Sequence, residues 1–221
     1  MKDSHLLTPQ QTREFYNKFG IKQDSQRFYE QTAIDDLIAH SNFIECHSIF
    51  EFGCGTGRFA QELLSGCLPQ DTIYVGHDIS QTMVQLTENK IRQFGDRAKV
   101  HLIDGSVKLE LANYQFDRVV SMYVMDLLPF DRIELFLNEA QRILAADGLL
   151  CLTGLTFGKT PLSGFVTWFW SRIHRFKPSL VGGCRPVHLA EILPEAHWRV
   201  VHSNVVTSWG ISSEVLIAKK V

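Results

Sequence analysis

The segment Phe50-Glu51-Phe52-Gly53-Cys54-Gly55-Thr56-Gly57-Arg58-Phe59-Ala60 constrains this chain more than any other. A short apolar run passes into Gly-x-Gly-x-Gly and then into a helical pattern. Glycines without side chains let the backbone turn tightly and approach a ligand, and the start of the following helix offers unpaired N–H groups. Such a loop suits a nucleotide-like ligand. A dinucleotide fingerprint needs Gly-x-Gly-x-x-Gly, but Arg58 stands where its third glycine would be, and no Walker Gly-Lys-Ser/Thr occurs.

From Ser48 onward, short apolar runs alternate with longer amphipathic ones, the signature of βαβ units and a parallel sheet. Strands are expected at Ser48–Phe52, Thr72–Gly76, Lys99–Ile103, Phe116–Met122, Leu149–Gly154, Trp198–Val206 and Glu214–Ala218. Helices are expected at Arg58–Ser65, Gln81–Phe94 and Arg132–Ala145, the last capped by Asp131 with Glu134 three residues on and followed by Gly148. Upstream, Thr8-Pro9-Gln10-Gln11 opens a helix that Gly20 stops, and Ser25 to His40 forms a second with Ile34, Leu37 and Ile38 on one face. The 221 residues read as one domain: a helical extension over 1–45, a ligand-binding core over 46–155, an insertion over 156–186, and a helix with strands over 187–221.

Two acidic residues sit where a doubly wound sheet gathers its ligands, at the carboxyl ends of strands. Asp78 ends the second strand and can accept both hydroxyls of a ribose. Asp104 ends the third and can accept from an exocyclic amine of a base. Each also has a plainer use, Asp78 beside the helix start at Ser80 and Asp104 in an Asp-Gly turn.

This pattern resembles the class I S-adenosylmethionine-dependent methyltransferases, specifically the branch of ubiquinone and menaquinone biosynthesis enzymes. Glu51 through Gly57 resemble that family's first motif, Phe116 through Tyr123 its fourth-strand motif, and Asn138 through Leu144 with Gly148 the helix and turn before strand five. The matches run from about Ser48 to Thr153. The resemblance implies a Rossmann-like α/β fold, a mostly parallel seven-stranded sheet with helices on both faces. It implies S-adenosyl-L-methionine as cofactor and S-adenosyl-L-homocysteine as product. The cofactor would be held by Tyr16, Glu51, Gly53, Cys54, Gly55, Thr56, Gly57, Asp78, Ile79, Ser80, Met83, Asp104, Gly105, Ser106, Ser121 and Met122.

Departures narrow the acceptor without naming it. Met125-Asp126-Leu127 replaces the Leu-His-His of many relatives, Ser121-Met122-Tyr123-Val124 stands in place of the Asp/Asn-Pro-Pro-Tyr of amino-group methyltransferases, and no arsenite-type cysteine triad is evident. Catalytic candidates are Tyr123, Asp126, His174 and His188. The resemblance places an acceptor pocket between the N-terminal helices and the insertion, where Phe165, Trp168, Phe169 and Ile173 can share a helical face. Three readings of that face stay open: an acceptor wall using Trp168, Trp170 and Arg185, a packed lid, or a helix lying on a membrane.

A net charge of −2 and a pI near 6.5 lack the basic footprint of a nucleic-acid partner. Five scattered cysteines form neither a metal spacing nor a complete disulfide framework, so no metal is expected. The opening residues lack a secretory signal, and the cytoplasm is the expected location. The expected function is methyl transfer to a small apolar or aromatic molecule. The alternatives are a methyltransferase acting on protein or RNA and a non-catalytic cofactor-binding protein.

Overall fold

The computed structural model describes residues 6–221; the first five residues of the expected N-terminal extension lie outside them. Seven strands form one sheet: β1 (Ser48–Phe52), β2 (Ile73–Asp78), β3 (Ala98–Leu102), β4 (Phe116–Met122), β5 (Leu144–Leu155), β6 (Trp198–Ser208) and β7 (Ile211–Lys220). Their order is β3-β2-β1-β4-β5-β7-β6, and β7 runs antiparallel to both neighbours. The sheet is therefore mixed, with its first five strands parallel. The central strands β1 and β4 are buried on both faces, with Ile49 and Phe50, and Val119 and Val120, turned to opposite sides.

Seven helices accompany the sheet: α1 (Pro9–Phe19), α2 (Arg27–His40), α3 (Arg58–Glu62), α4 (Gln81–Ile91), α5 (Phe130–Ile143), α6 (Pro161–Phe176) and α7 (Leu189–Ile192). One core layer packs Ile34 and Leu37 of α2, Phe59 of α3 and Ile91 of α4 against Ile49 and Tyr74. The other packs Ile133, Phe136 and Leu137 of α5 and Leu189 of α7 against Phe50, Val119 and Leu150. The capping box at Thr8 and Gln11 forms as the sequence implies, and Gly20 (φ 51°) ends α1. A tight turn of helix over Gly20–Gln26 then leads into α2.

Two local expectations are corrected. Asp131 does not cap α5: the helix begins earlier, at Phe130, behind Pro129, and no side chain caps it. Pro129 supplies extended backbone just before the first turn, so Asp131 lies inside that turn, near the positive end of the helix dipole. Gly148 is no helix terminator either, since α5 passes directly into β5 at Leu144. A Cβ on Gly148 would overlap the Leu144 side chain, so close packing explains the glycine. The insertion, for which the alternation of runs sets no helix bounds, contains the sixteen-residue α6, capped by Thr160 with Pro161 at its start.

α6 is turned in an unusual sense. Ser163, Thr167 and His174 are buried, whereas Leu162, Phe165, Trp168, Phe169 and Phe176 face outward. Four of its aromatic residues, Phe165, Trp168, Phe169 and Phe176, do not complete the core, and Trp170 is half-buried.

Candidate active site

The strand order reverses its direction of travel between β1 and β4, and the crevice outside their carboxyl ends is where an open α/β sheet binds ligands. A cavity of about 420 Å³ opens there. Gly53 and Gly55 after β1, Asp78 and Ile79 after β2, Ile103 and Gly105 after β3, and Met122, Tyr123 and Val124 after β4 line it. Leu6, Leu7, Thr8, Pro9, Thr12, Tyr16 and Gln23 cover it from the N-terminal extension, and Leu127, Leu128, Pro129, Asp131 and Arg132 close its far side.

The glycine loop is held by Asp78. One carboxylate oxygen accepts from the Gly55 N–H at 2.9 Å and the other from the Ser80 N–H at 2.8 Å. All three loop glycines have positive φ, and a Cβ on Gly53 would overlap Val124 while one on Gly55 would lie 3.0 Å from Gln23 Oε1. The cradle is thus shaped for backbone, with its space left to a ligand. Glu51 lies fully inside, accepting from the Tyr74 hydroxyl, and burial pushes its carboxyl up to about 7 against that hydrogen bond.

Gln23 and Asp24 were not recognisable from the sequence. The turn over Gly20–Gln26 lays both across the glycine loop. Asp24 accepts from the Thr56 hydroxyl and from Lys90 Nζ at 2.9 Å, and Arg58 pairs with Glu30 at 2.9 Å. Burial works against the charge on Asp24, but Thr56, Lys90 and Arg58 outweigh it and hold the carboxyl below its ordinary range. Gln23 Oε1 is buried beside Gly55 and meets no hydrogen-bond donor among the described residues. A buried acceptor aimed into a cavity is a place for a ligand's amine or hydroxyl. The only sequence signal was a polar Gln-Asp pair after a helix stop, which is common in exposed turns.

The expected cofactor residues divide. Tyr16, Gly53, Gly55, Asp78, Ile79, Gly105 and Met122 line the cavity. Glu51, Cys54 and Thr56 line a smaller recess on the other side of the glycine loop, which shares Gln23, Gly53, Gly55, Met122 and Tyr123 with the cavity. Gly57, Ser80, Met83, Asp104, Ser106 and Ser121 are among the lining residues of neither. Ser80 caps α4 and donates to Asn17, Met83 is core, and Ser121 donates to the Phe52 carbonyl. Asp104 accepts from the Ser106 N–H at 2.7 Å in an Asp-Gly turn that leaves Gly105 facing the cavity.

Of the catalytic candidates, Tyr123 lines the cavity, donating to Ser213 Oγ at 3.0 Å. Asp126 is fully buried behind the wall, accepts from the Leu155 N–H, and is pushed up to about 8 by that burial. His174 bonds the Gly183 carbonyl and His188 stacks on Phe157, both away from the cavity. Trp168, Trp170 and Arg185, expected at the acceptor, are likewise not among its lining residues. Trp168 faces outward from α6, Trp170 Nε1 donates to the Cys184 carbonyl, and Arg185 donates to the Leu128 carbonyl from above the Phe130 ring. For Trp168 the reason is the rotation of α6, which no periodicity argument could settle; Trp170 and Arg185 are committed to backbone carbonyls.

Residues 49–148, from β1 to the Gly148 turn, match the family model described as a methyltransferase domain. This chain carries a methyltransferase domain. No curated protein matches it. Among solved structures, the methyltransferase is similar to the [4+2]-cyclase SpnF (TM-score 0.75, 15% identity, covering 97% of each chain). It also resembles magnesium protoporphyrin IX methyltransferase from Synechocystis PCC 6803, solved with bound SAH (TM-score 0.68, 17% identity, 95% of this chain and 98% of that one). A third is a chain from the complex of a methyltransferase with the Haloferax volcanii Trm112 methyltransferase activator (TM-score 0.71, 14% identity, 94% and 96%). At such identities these likenesses show the fold alone, and a cyclase among them illustrates that fold does not dictate reaction.

Cofactor binding is expected to depend on pH through Asp78. Burial raises its carboxyl to about 6, while hydrogen bonds from Ser80, Gly55 and Ile79 pull the other way. A ribose bound there would donate its hydroxyls to the ionised form, so binding would require the proton to leave. Affinity for S-adenosylhomocysteine is expected to be flat above about pH 7 and to fall up to about tenfold per unit below about pH 6. For folding the sign is opposite. The raised carboxyl binds its proton more tightly in the folded chain, so its favourable contribution is present at low pH and lost as pH rises through about 6. Calorimetry from acidic to neutral pH checks this; constant affinity would mean that Asp78 does not meet the ribose.

Proposed function

We propose that this methyltransferase acts on a small apolar or aromatic acceptor lodged beneath its N-terminal extension. One observation carries the reading. Away from Asp78, apolar surface predominates in the cavity wall, with Leu6, Leu7, Met122, Val124, Leu127 and Leu128; its polar side chains there are those of Thr8, Thr12, Tyr16, Gln23, Tyr123, Asp131 and Arg132, the last committed to the Gly105 carbonyl at 2.8 Å. Such a wall rewards apolar surface and offers little to a charged or extended polymer.

The cofactor brings a methyl group already activated on a sulfonium, so the protein's part is alignment and exclusion of water. In this reading Asp78 holds the ribose, Gly53 and Gly55 let the methionine part approach the backbone, and Gln23 Oε1 accepts from its ammonium group. Glu51 and Asp104 act at one remove, Glu51 through Tyr74 and Asp104 by shaping the turn that presents Gly105. Tyr123 keeps its proton, since burial raises its pKa far above the phenolic range, and so it orients the acceptor as a hydrogen-bonding group. Asp126 is buried behind the wall and serves to anchor Leu155.

A panel of phenols, carboxylic acids and thiols with alkyl chains of increasing length, assayed with labelled S-adenosylmethionine, tests the reading. Rates are expected to rise with chain length. Leu7→Glu, which puts a charge in the wall at a half-buried site, is expected to lower transfer at least about tenfold while S-adenosylhomocysteine binding stays within about threefold. Transfer only to protein or RNA, or an unchanged rate in Leu7→Glu, would overturn the assignment.

A further inference from the structure

The outward face of α6 is the largest feature that the active site leaves unexplained. Phe165 and Trp168 stack at 6.0 Å and are 63% and 57% exposed, and Leu162, Phe169 and Phe176 lie exposed beside them. The patch extends past the helix. The tip of the β6–β7 hairpin comes against Val166 and Leu162 at Gly210, and next to it Trp209 is 82% exposed, its ring 6.3 Å from that of the exposed Phe28. Trp209 holds φ 55°, a left-handed conformation that a bulky side chain adopts only at a cost and that Asn or Gly would usually fill in such a turn. The inward face of α6 is polar and committed. Thr167 accepts from the Gly158 N–H, Trp170 donates to Cys184, and His174 bonds Gly183. The helix is therefore anchored with its apolar side outward.

The charge around this face chooses its occupant. Residues 148–190 contain five Lys and Arg and no Asp or Glu, leaving 17 Lys and Arg against 24 Asp and Glu in the rest of the chain. Lys159, Arg175 and Lys177 are exposed on or beside α6, and Arg172 lies over the rings of both Trp168 and Phe176. A second copy seated symmetrically on this face would set these cations against their own counterparts, which disfavours a dimer. Anionic headgroups with acyl chains beneath them match both the ring of charge and the aromatic centre.

We propose that α6, with Trp209 and Phe28, is a membrane-docking surface that seats the enzyme on an anionic lipid bilayer. It lies on the surface: no helix among the described residues is long and apolar enough to cross a membrane. The segment after α6 touches the cavity wall, Gly183 against Leu7 and Leu127, and Gly182 against Phe15 and Tyr16. Docking therefore places a lipid surface within a few residues of the methyl-transfer cavity.

Co-sedimentation with vesicles of phosphatidylcholine containing about one-third phosphatidylglycerol, against pure phosphatidylcholine, tests this. Wild type is expected to bind the anionic vesicles at least about tenfold better, with the difference shrinking as salt is raised. Phe165→Ser with Trp168→Ser should abolish binding to both. Arg172→Glu with Arg175→Glu should remove only the anionic preference. All substituted side chains are exposed, and unchanged S-adenosylhomocysteine affinity in each variant verifies an intact fold. No binding by wild type, or binding that survives the aromatic pair of substitutions, overturns the proposal. So does a wild-type dimer in solution that the same pair dissociates, which would make a second copy the occupant.

Discussion

Replacing Asp78 with alanine is expected to weaken S-adenosylmethionine and S-adenosylhomocysteine by about 2–3 kcal/mol, roughly 30- to 150-fold in Kd. Two costs combine. In the proposed binding mode the ribose hydroxyls lose a charged acceptor in a buried site, and the Gly55 N–H, now without the carboxylate that accepts it at 2.9 Å, lets the glycine loop drift. Stability should change less than affinity. Removing the carboxylate leaves the Gly55 and Ser80 N–H groups unpaired, but it also removes a buried charge whose raised pKa of about 6 shows that the folded chain holds its ionised form at a penalty. Calorimetry on the folded variant, with urea unfolding alongside, separates the two. Wild-type affinity in a folded Asp78→Ala protein would reduce this residue to a loop tie.

Gly57→Ala is expected to be the most damaging single-methyl addition in the loop, costing about 2–4 kcal/mol of stability. Gly57 holds φ 74°, where a side chain is strained, and its Cβ would lie 2.8 Å from the Cα of Thr87 as well as from that residue's side chain. The backbone of α4 would have to move away from α3, and α4 is capped by Ser80, close to Asp78. Gly95 provides the comparison. Its φ of 61° comes with ψ −145°, a region that side chains enter at a cost of about 1–3 kcal/mol, yet a Cβ there meets nothing within 4 Å, so Gly95→Ala should cost that backbone strain alone. A loss in Gly57→Ala of no more than the roughly 1 kcal/mol of left-handed strain, read from urea titrations, would show that contact with Thr87 is not the reason for a glycine at 57.

Strands β1 and β4 were legible to the residue, because both are buried on two faces and carry adjacent apolar residues, Ile49-Phe50 and Val119-Val120, that point to opposite sides. β5 was not: it begins at Leu144 and bulges between its pairings with Phe116 and Arg118, a detour that depends on its neighbour. The glycine loop and Asp78 could be placed at the site because strand order in a doubly wound sheet carries them to one edge. Asp104 was placed at the correct strand end, but its side chain turned back to its own loop, since a local Asx bond to Ser106 competes with any ligand.

The sequence by itself determined the alternation of strands and helices, the edge of the sheet where ligands gather, and the conformation that Gly53, Gly55 and Gly57 demand. These follow from local periodicity and from backbone sterics, which depend on near neighbours along the chain. Only the tertiary structure decided that Gln23 and Asp24 lie across the glycine loop, that Leu6 and Leu7 line the cavity, and that α6 turns its aromatic residues outward. A helical wheel shows which side chains share a face but not which way that face points. For α6 the direction is set by the hydrogen bonds of Thr167 to Gly158 just before the helix and of Trp170 and His174 to Cys184 and Gly183, the latter two existing only once the chain after the helix has folded back beneath it.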